Sequence, residues 1–236
     1  MENQEVILLS AWFSPYALRV QWALKLKGIP FQIVEEDLRK KSHLLLKHNP
    51  VNQKIPVLLH QGKAIVDSLS IIEYIDETWN HSPLLMPQDP YDKAMARFWA
   101  DFIEQKLHKA IRRAKVFKGE KKEREVKQAK EALKILDEMV KGKEFFGGDS
   151  VGFLDIALGW ITLTLGVFEE LACVTVFDSE KYTHLHKWMI KFVELQLIKE
   201  TLPPKDKLLS VLQSYGHTSL APLSTKSFNL IKLLIE

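Results

Sequence analysis

A change of rhythm near residue 82 restricts how this chain can fold more than any other feature. Before it, short runs rich in β-branched and aromatic residues alternate with helical patterns; after it, strand signals nearly vanish. "EVILL" (5–9) reads as a buried strand, and Pro15 to Lys27 as a helix with Val20, Ala23 and Leu24 inward and Gly28 where a C-terminal cap belongs. "PFQIVEED" (30–37) follows as a strand, which makes a β-α-β unit and therefore a parallel pair with a right-handed crossover. A short polar helix over Ser42–His48 leads to a hairpin, "IPVLLH" (55–60), a turn at 61–63 and "AIV" (64–66). A helix then starts at Ser68, with Ser68, Ile71, Ile72, Ile75 and Trp79 on one face. The proline-bearing stretch "SPLLMPQDP" (82–90) reads as a connection, which predicts an α/β domain over 1–82, a linker over 83–90 and an all-α domain over 91–236. In the all-α domain a long helix is expected from Tyr91 to Phe117 and another from Glu120 to Lys141, the latter burying Val126, Ala129, Leu133, Leu136 and Val140. Further helices fit 153–170, 183–198 and 205–214.

The charge balance narrows the function classes. Lys plus Arg number 33 against 30 Asp plus Glu, a net +3 too even to argue for nucleic acid or an anionic membrane as partner. With Cys173 the sole cysteine, no intrachain disulfide can form, and a reducing compartment fits best. "MENQEVILLS" lacks the basic start and longer apolar run of a signal peptide, and no uncharged run reaches the roughly 18 residues that span a bilayer. A soluble protein of the cytosol is therefore expected. The run "KGEKKEREVKQAK" (118–130) reads as a solvated helix face with Glu120–Arg124 and Glu123–Lys127 pairs. "GFLD" (152–155) reads as a capping box with glycine in the Ser/Thr position, so Asp155 is a folding residue. His184 and His186 stand at i and i+2 and diverge on a helix, so no metal site is expected of them; Cys173 in "LACVTVF" reads as a buried apolar filler.

One stretch points to chemistry. In "SAWFSPYALRVQWAL" (10–24), Pro15 suits the first turn of a helix, which makes Ser14 its N-cap or the residue just before. Free backbone N–H groups and the positive end of the helix dipole favour an anion there. The order β-α-β-α-β-β-α resembles the thioredoxin-like fold of proteins that handle thiols, in which the working sulfur sits at this spot. Here the chain supplies no cysteine, so the sulfur must come from a ligand.

Taken together, "WFSPYALRVQWALKLKGIPF", "EEDLRKKSHLLLKHNPVNQKIPVLLHQGKAIVDSLSIIEYIDETW", "ARFWADFIEQKL" and "EFFGGDSVGFLDIALG" resemble the glutathione transferases, most closely the plant tau class. They cover nearly the whole chain in the right order. The resemblance implies a thioredoxin-like N-terminal domain followed by an all-α C-terminal domain. It also implies a glutathione site built from Ser14, Lys41, Asn49, Lys54, Ile55, Asp67 and Ser68. Ser14 Oγ would donate to the glutathione sulfur and favour its thiolate, as the catalytic residue. Ile55 would offer its backbone to the cysteinyl part, next to Pro56 in a cis bond. Asp67 and Ser68 would take the γ-glutamyl end, and Lys41 and Lys54 the glycyl carboxylate. The tau pattern usually has glutamate where this chain has Asp67, so a longer contact and weaker glutathione binding are expected. For the electrophile the resemblance points to a pocket between the domains, with Tyr16, Arg112 and Phe117, and Trp160 as a further wall; core packing is the competing reading of the aromatics. The tail "STKSFNLIKLLIE" (224–236) puts Phe228, Ile231 and Ile235 on one helical face, fit to cover the pocket, extend a dimer surface or stay mobile.

The expected function is detoxification: glutathione, a co-substrate and not a cofactor, attacks an apolar electrophile in a cytosolic homodimer, with reduction of organic hydroperoxides as a side activity. A ligandin-type carrier of apolar metabolites is the alternative, since both need an apolar cleft. A glutathione-dependent thiol reductase is disfavoured, because such relatives carry cysteine where this chain has Ser14.

Overall fold

The computed structural model describes residues 5–214. They form two compact units that part between Met86 and Pro87.

The first unit is a four-stranded sheet in the order β2-β1-β3-β4, with three helices. Strand β1 (Val6–Ser10) pairs in parallel with β2 (Gln32–Glu35) and antiparallel with β3 (Val57–His60), which makes the hairpin with β4 (Lys63–Val66). Helix α1 (Pro15–Leu26) forms the expected crossover, α2 is His43–His48 and α3 is Ser68–Thr78. All of Ala17–Leu24 is buried, including Arg19, so α1 has no solvent face over those eight residues. Gly28, at φ 65°, ends the turn after α1 in the left-handed region that glycine enters freely. Leu9, Leu45, Val57 and Leu59 form part of the apolar core.

Some of the stretch that reads as a linker is bound into this unit. The buried Lys27 ammonium meets the Asp76 carboxylate at 2.9 Å and the carbonyls of His81 and Pro83 at 2.5 and 3.0 Å. Asp76 in turn accepts from the Leu85 and Met86 N–H groups, both at 2.9 Å. A buried cation and carboxylate thus share the 81–86 segment as common partners, which satisfies charges that burial would otherwise penalise. Ile55–Pro56 and Ser82–Pro83 are cis.

The second unit is helical throughout its regular structure. Asp89 caps α4 (Pro90–Phe102), which passes through a π-helical segment (Ile103–His108) into α5 (Lys109–Val116); the long helix expected over 91–117 is therefore continuous but widened at its centre. Helix α6 (Gly119–Val140) buries Ala129, Leu133, Leu136 and Val140 as the periodicity predicts. Val126 is only half-buried, and Glu125 turns inward beside Arg113 at 3.6 Å. The exposed ion pairs of this helix are Lys127–Glu131 at 4.0 Å and, at its C-terminal end, Lys141–Glu138 at 3.5 Å; neither of the two pairs read from the sequence forms among the described residues.

The helix expected over 153–170 breaks into α7 (Phe153–Leu158) and α8 (Ile161–Ala172). The Thr162 hydroxyl donates to the Gly159 carbonyl at 2.7 Å, and its N–H reaches the same oxygen at 3.2 Å, which tightens the turn. Helices α9 (Thr183–Glu194), α10 (Gln196–Lys199) and α11 (Lys205–Ser214) follow. Cys173 is a correction: it is exposed, because it terminates α8 in the left-handed conformation (φ 53°) rather than filling a core. His184 and His186 lie in α9, where His186 packs on Phe177 with ring centroids 6.2 Å apart. The tail 224–236 lies outside the described residues. No described helix is long and apolar enough to cross a membrane.

Candidate active site

The sheet register brings the first unit's site residues to one edge. Leu9 lies opposite Val57, Val57 opposite Val66, and Ser10 beside Glu35. The segments flanking those strand ends therefore leave the same end of the sheet: 11–14 after β1, 36–42 after β2, 55–56 before β3 and 67–68 after β4. They carry Ser14, Lys41, Ile55, Asp67 and Ser68.

Ser14 is the buried N-cap of α1, with Pro15 at the first helical position. Its N–H donates to the Ala11 carbonyl at 2.8 Å, and the Trp12 N–H before it donates to Glu35 Oε2 at 3.1 Å, so the turn is tied to the next strand. Its Oγ accepts the Ala17 N–H at 3.3 Å. A hydroxyl carries one donor and two acceptor sites, so accepting from Ala17 leaves its proton for another group. No acidic residue stands in the first turn of α1 to neutralise the positive end of the dipole.

Asp67 caps α3 in an unusual backbone conformation, φ 72° and ψ 122°, sparsely populated for any residue with a Cβ. Its Oδ2 accepts both the Ser70 N–H at 3.1 Å and the Ser70 hydroxyl at 3.0 Å, leaving Oδ1 without a partner among the described residues. Ser68 is buried, and its Oγ accepts from Arg19 Nη1 at 3.4 Å. Lys41 and Lys54 are exposed. Asn49 is buried and braces its own loop: Nδ2 donates to the Lys54 carbonyl at 2.8 Å, and Oδ1 accepts the Asn52 N–H at 3.1 Å. Among the groups at this edge are the N-termini of α1 and α3, the exposed Lys41 and Lys54 and the Asp67 carboxylate; the Glu35 and Glu36 carboxylates are engaged by Trp12 and Ser42. The edge suits a ligand with several carboxylates and one ammonium.

Of the residues assigned to the electrophile, Tyr16 is half-buried in the first turn of α1, its ring centroid 5.2 Å from the Arg19 guanidinium carbon. In the second unit Arg112 is exposed on α5, and Phe117 is half-buried in extended backbone just past it. Trp160, between α7 and α8, is 1% exposed and meets the His108 ring edge-on at 4.6 Å. Its indole nitrogen has no hydrogen-bond partner among the described residues.

Sequence reading missed the groups that hold this edge in shape. Buried Glu36 accepts the Ser42 N–H at 3.1 Å and its hydroxyl at 2.6 Å, fixing the loop that bears Lys41. Arg19 reaches Ser68 from α1. A signal existed for Arg19: an arginine inside the apolar run "YALRVQWAL" cannot be buried without a polar partner.

Comparison with known proteins points to one family. The family model of the glutathione S-transferase N-terminal domain matches residues 4–77, and that of the C-terminal domain residues 91–196. "Glutathione S-transferase U8" of Arabidopsis thaliana is 45% identical over 214 residues, covering 90% of this chain and 96% of its own. A probable glutathione S-transferase of Nicotiana tabacum is 46% identical over 89% of this chain and 93% of its own. Among solved structures, the tau class glutathione S-transferase of mango superposes with a TM-score of 0.85 at 40% identity, over 90% of this chain and 99% of its own. Rice GST1, solved in complex with glutathione, gives 0.82 at 35% identity, over 92% and 100%.

Proposed function

The chain belongs to the glutathione S-transferase family, tau class, and on that premise we propose how its residues divide the transfer of glutathione sulfur to an apolar electrophile. The observation that carries this reading is the convergence of the Ser14 turn, Ile55–Pro56 and Asp67–Ser68 on one sheet edge under two helix N-termini. Glutathione is the ligand of that edge, a reading supported by the rice relative solved with it.

Ser14 Oγ donates its proton to the sulfur while accepting from Ala17, so the thiolate is favoured over the thiol. Ile55 offers its backbone to the cysteinyl residue. Asp67 Oδ1 takes the γ-glutamyl ammonium, Ser68 and the α3 N–H groups take that residue's carboxylate, and Lys41 and Lys54 attract the glycyl carboxylate. Asn49 acts through the loop it braces. The thiolate attacks the electrophilic carbon and forms a C–S bond. The electron pair leaves with a departing halide, or is quenched by a proton when the acceptor is an activated alkene.

Magnitudes divide the work. A thiol of pKa about 8.5 is only about 3% ionised at pH 7, and a shift to ~6.5 makes it about 75%. That roughly 25-fold gain is offset about eightfold by the lower nucleophilicity of a less basic thiolate. Most of the acceleration must then come from holding the electrophile beside the sulfur. Tyr16 in the first unit, and Arg112, Phe117 and Trp160 in the second, are each proposed as electrophile-binding residues. We extend the proposal to organic hydroperoxides: the thiolate attacks the outer peroxide oxygen and releases the alcohol, and a second glutathione displaces water from the resulting sulfenic acid to give glutathione disulfide. We assign the enzyme to the cytosol and to a homodimer.

A conjugation assay with a chloronitroaromatic tests the reading. Ser14→Ala should leave glutathione affinity within about threefold while raising the kinetic pKa of bound thiol by about 1–2 units. An unchanged pH profile would reduce Ser14 to a helix cap. Absence of turnover in the parent chain, with tight binding of apolar dyes, would favour the carrier.

A further inference from the structure

The second unit carries a hollow of about 320 Å³ that shares no residue with the sheet-edge site. Val126, Lys127, Lys130, Glu131 and Lys134 of α6 line it, together with Lys181 from the segment before α9. Four ammoniums thus surround one concavity with a single carboxylate among them. Lys127, Lys130 and Lys134 succeed one another at spacings of three and four, so they share a helix face on which like charges repel. A face shaped only for solubility would alternate the two signs there. Glu131 alone does so in this lining, 64% exposed and 4.0 Å from Lys127.

The fourth lysine is brought in by the tertiary fold. The Asp178 carbonyl accepts the N–H groups of Lys181 and Tyr182 at 3.2 and 2.9 Å, and its Oδ1 accepts those of Glu180 and Lys181 at 3.0 and 3.3 Å. The Tyr182 hydroxyl donates to the Lys130 carbonyl at 3.1 Å, and Asp137 Oδ1 accepts the Leu185 N–H at 2.7 Å. These bonds fasten the turn and the start of α9 to α6. The Lys181 ammonium stands 5.6 Å from the centroid of the buried Tyr182 ring, within cation–π range. The second wall is therefore built before a ligand arrives, which lowers the ordering cost of binding one.

We propose that this hollow is a binding site for a small phosphorylated polyol bearing at least two negative charges. Ammoniums on flexible stems act as point charges and suit phosphate oxygens in many orientations; no arginine fork, the better match for a lone carboxylate, lines the hollow. Val126 is the one apolar side chain in the lining, so an apolar electrophile is not its ligand. The volume lies at the small end of the range for small-molecule sites, which are about 300–1,000 Å³. Glu131 gives a hydroxyl an acceptor, which favours a phosphorylated polyol over inorganic phosphate.

Isothermal titration of the full chain with fructose bisphosphate at low salt tests this. One site per chain is expected, with a Kd below about 1 mM that rises at least about fivefold when salt is raised tenfold. Lys134→Gln and Lys181→Gln should each weaken binding about three- to tenfold, and Lys121→Gln, on the same helix but outside the hollow, by less than about 1.5-fold. All three lysines are exposed, so the thermal midpoints of the variants should match the parent's. Inorganic phosphate should bind at least about tenfold more weakly. Co-sedimentation with vesicles containing phosphatidylinositol bisphosphate, lost in Lys181→Gln, would assign the polyol phosphate to a lipid headgroup; no co-sedimentation would assign it to a soluble compound. A Kd above about 1 mM overturns the site. So does a loss in Lys121→Gln equal to that in Lys181→Gln, which would describe a diffuse basic surface. Tighter binding of a short DNA duplex, with the same dependence on Lys134 and Lys181, would replace the small anion by nucleic acid and overturn it as well.

Discussion

At the scale of single residues, Asp67 carries two demands on one carboxylate. Oδ2 is committed to Ser70 as the cap of α3, and the backbone sits at φ 72°, where Asp and Asn are tolerated better than most side chains. Only Oδ1 remains for the glutathione ammonium proposed to bind here. Length and charge can be separated by choosing the substitution. Asn caps a helix as well as Asp and also tolerates positive φ, so Asp67→Asn should leave stability within about 0.5 kcal/mol. It turns a charge-assisted hydrogen bond of about 1.5–3 kcal/mol into a neutral one of about 1, so the glutathione KM should rise about five- to tenfold with kcat unchanged. Asp67→Glu, which installs the residue expected from the tau resemblance, should lower KM by reaching farther, but a longer arm caps poorly, so it should cost about 0.5–1 kcal/mol of stability. Glutathione titrations and urea melts of the three proteins decide the matter. A KM unmoved in Asp67→Asn would leave the carboxylate a cap alone.

At the scale of elements, Asp155 joins three pieces of the second unit. Its carboxylate accepts from Phe146 N–H (2.8 Å), Gly147 N–H (3.0 Å), Gly152 N–H (2.9 Å) and Trp188 Nε1–H (2.7 Å). Burial pushes its pKa up, and the four donors oppose that shift. Gly147 admits no side chain here, since a Cβ would stand 2.6 Å from the Ser150 carbonyl oxygen. Asp155→Ala would strand four N–H groups and should cost about 3 kcal/mol or more, read as a lower urea midpoint. Asp155→Asn should do nearly as badly, because its NH2 would face donors. In the first unit, His60 on β3 is buried between Tyr74, whose hydroxyl lies 2.7 Å from Nδ1, and Trp79, with ring centroids 4.8 Å apart. Burial, then Lys63, lowers its pKa below the ordinary 6.5. The unfolded chain therefore binds this proton more readily than the folded one. Stability from this site is present above pH 6.5 and is lost as pH falls from there through the lowered folded value. Urea midpoints at pH 7.5 and 5.5 should differ less in His60→Phe than in the parent; an unchanged difference would remove His60 from the response.

These elements also mark what could be read in advance. Strand and helix existence followed from periodicity and caps such as Ser14–Pro15 and Gly28. The π-helical segment, the break at Gly159–Trp160 and the exposed Cys173 did not, because each depends on a backbone choice made by neighbours in space. The site residues came from resemblance. Their meeting depends on the pairing of Leu9 with Val57 and Val57 with Val66, a register no local pattern reports.

At the scale of the whole molecule, an exposed apolar stripe bears on assembly. On α4, Tyr91 (71% exposed) and Phe98 (56%) are seven residues apart and share a face, and Ile135 on α6 is 43% exposed. Single exposed apolar residues are ordinary, but two large aromatics two turns apart on one helix, left open to water, are a feature of surfaces that pair. A two-fold dimer meets the same patch on both copies, so one substitution changes the interface twice. Phe98→Glu would bring a carboxylate into an apolar contact on each side, a penalty of several kcal/mol if desolvated without a partner. The parent should therefore run in light scattering at micromolar concentration with twice the 27.3 kDa chain mass, and Phe98→Glu at a single chain mass. Glutathione binding by the Phe98→Glu monomer then tells whether the sheet-edge site stands by itself. A parent that runs at 27.3 kDa would end the dimer assignment, and a Phe98→Glu protein that still pairs would move the interface off this face of α4.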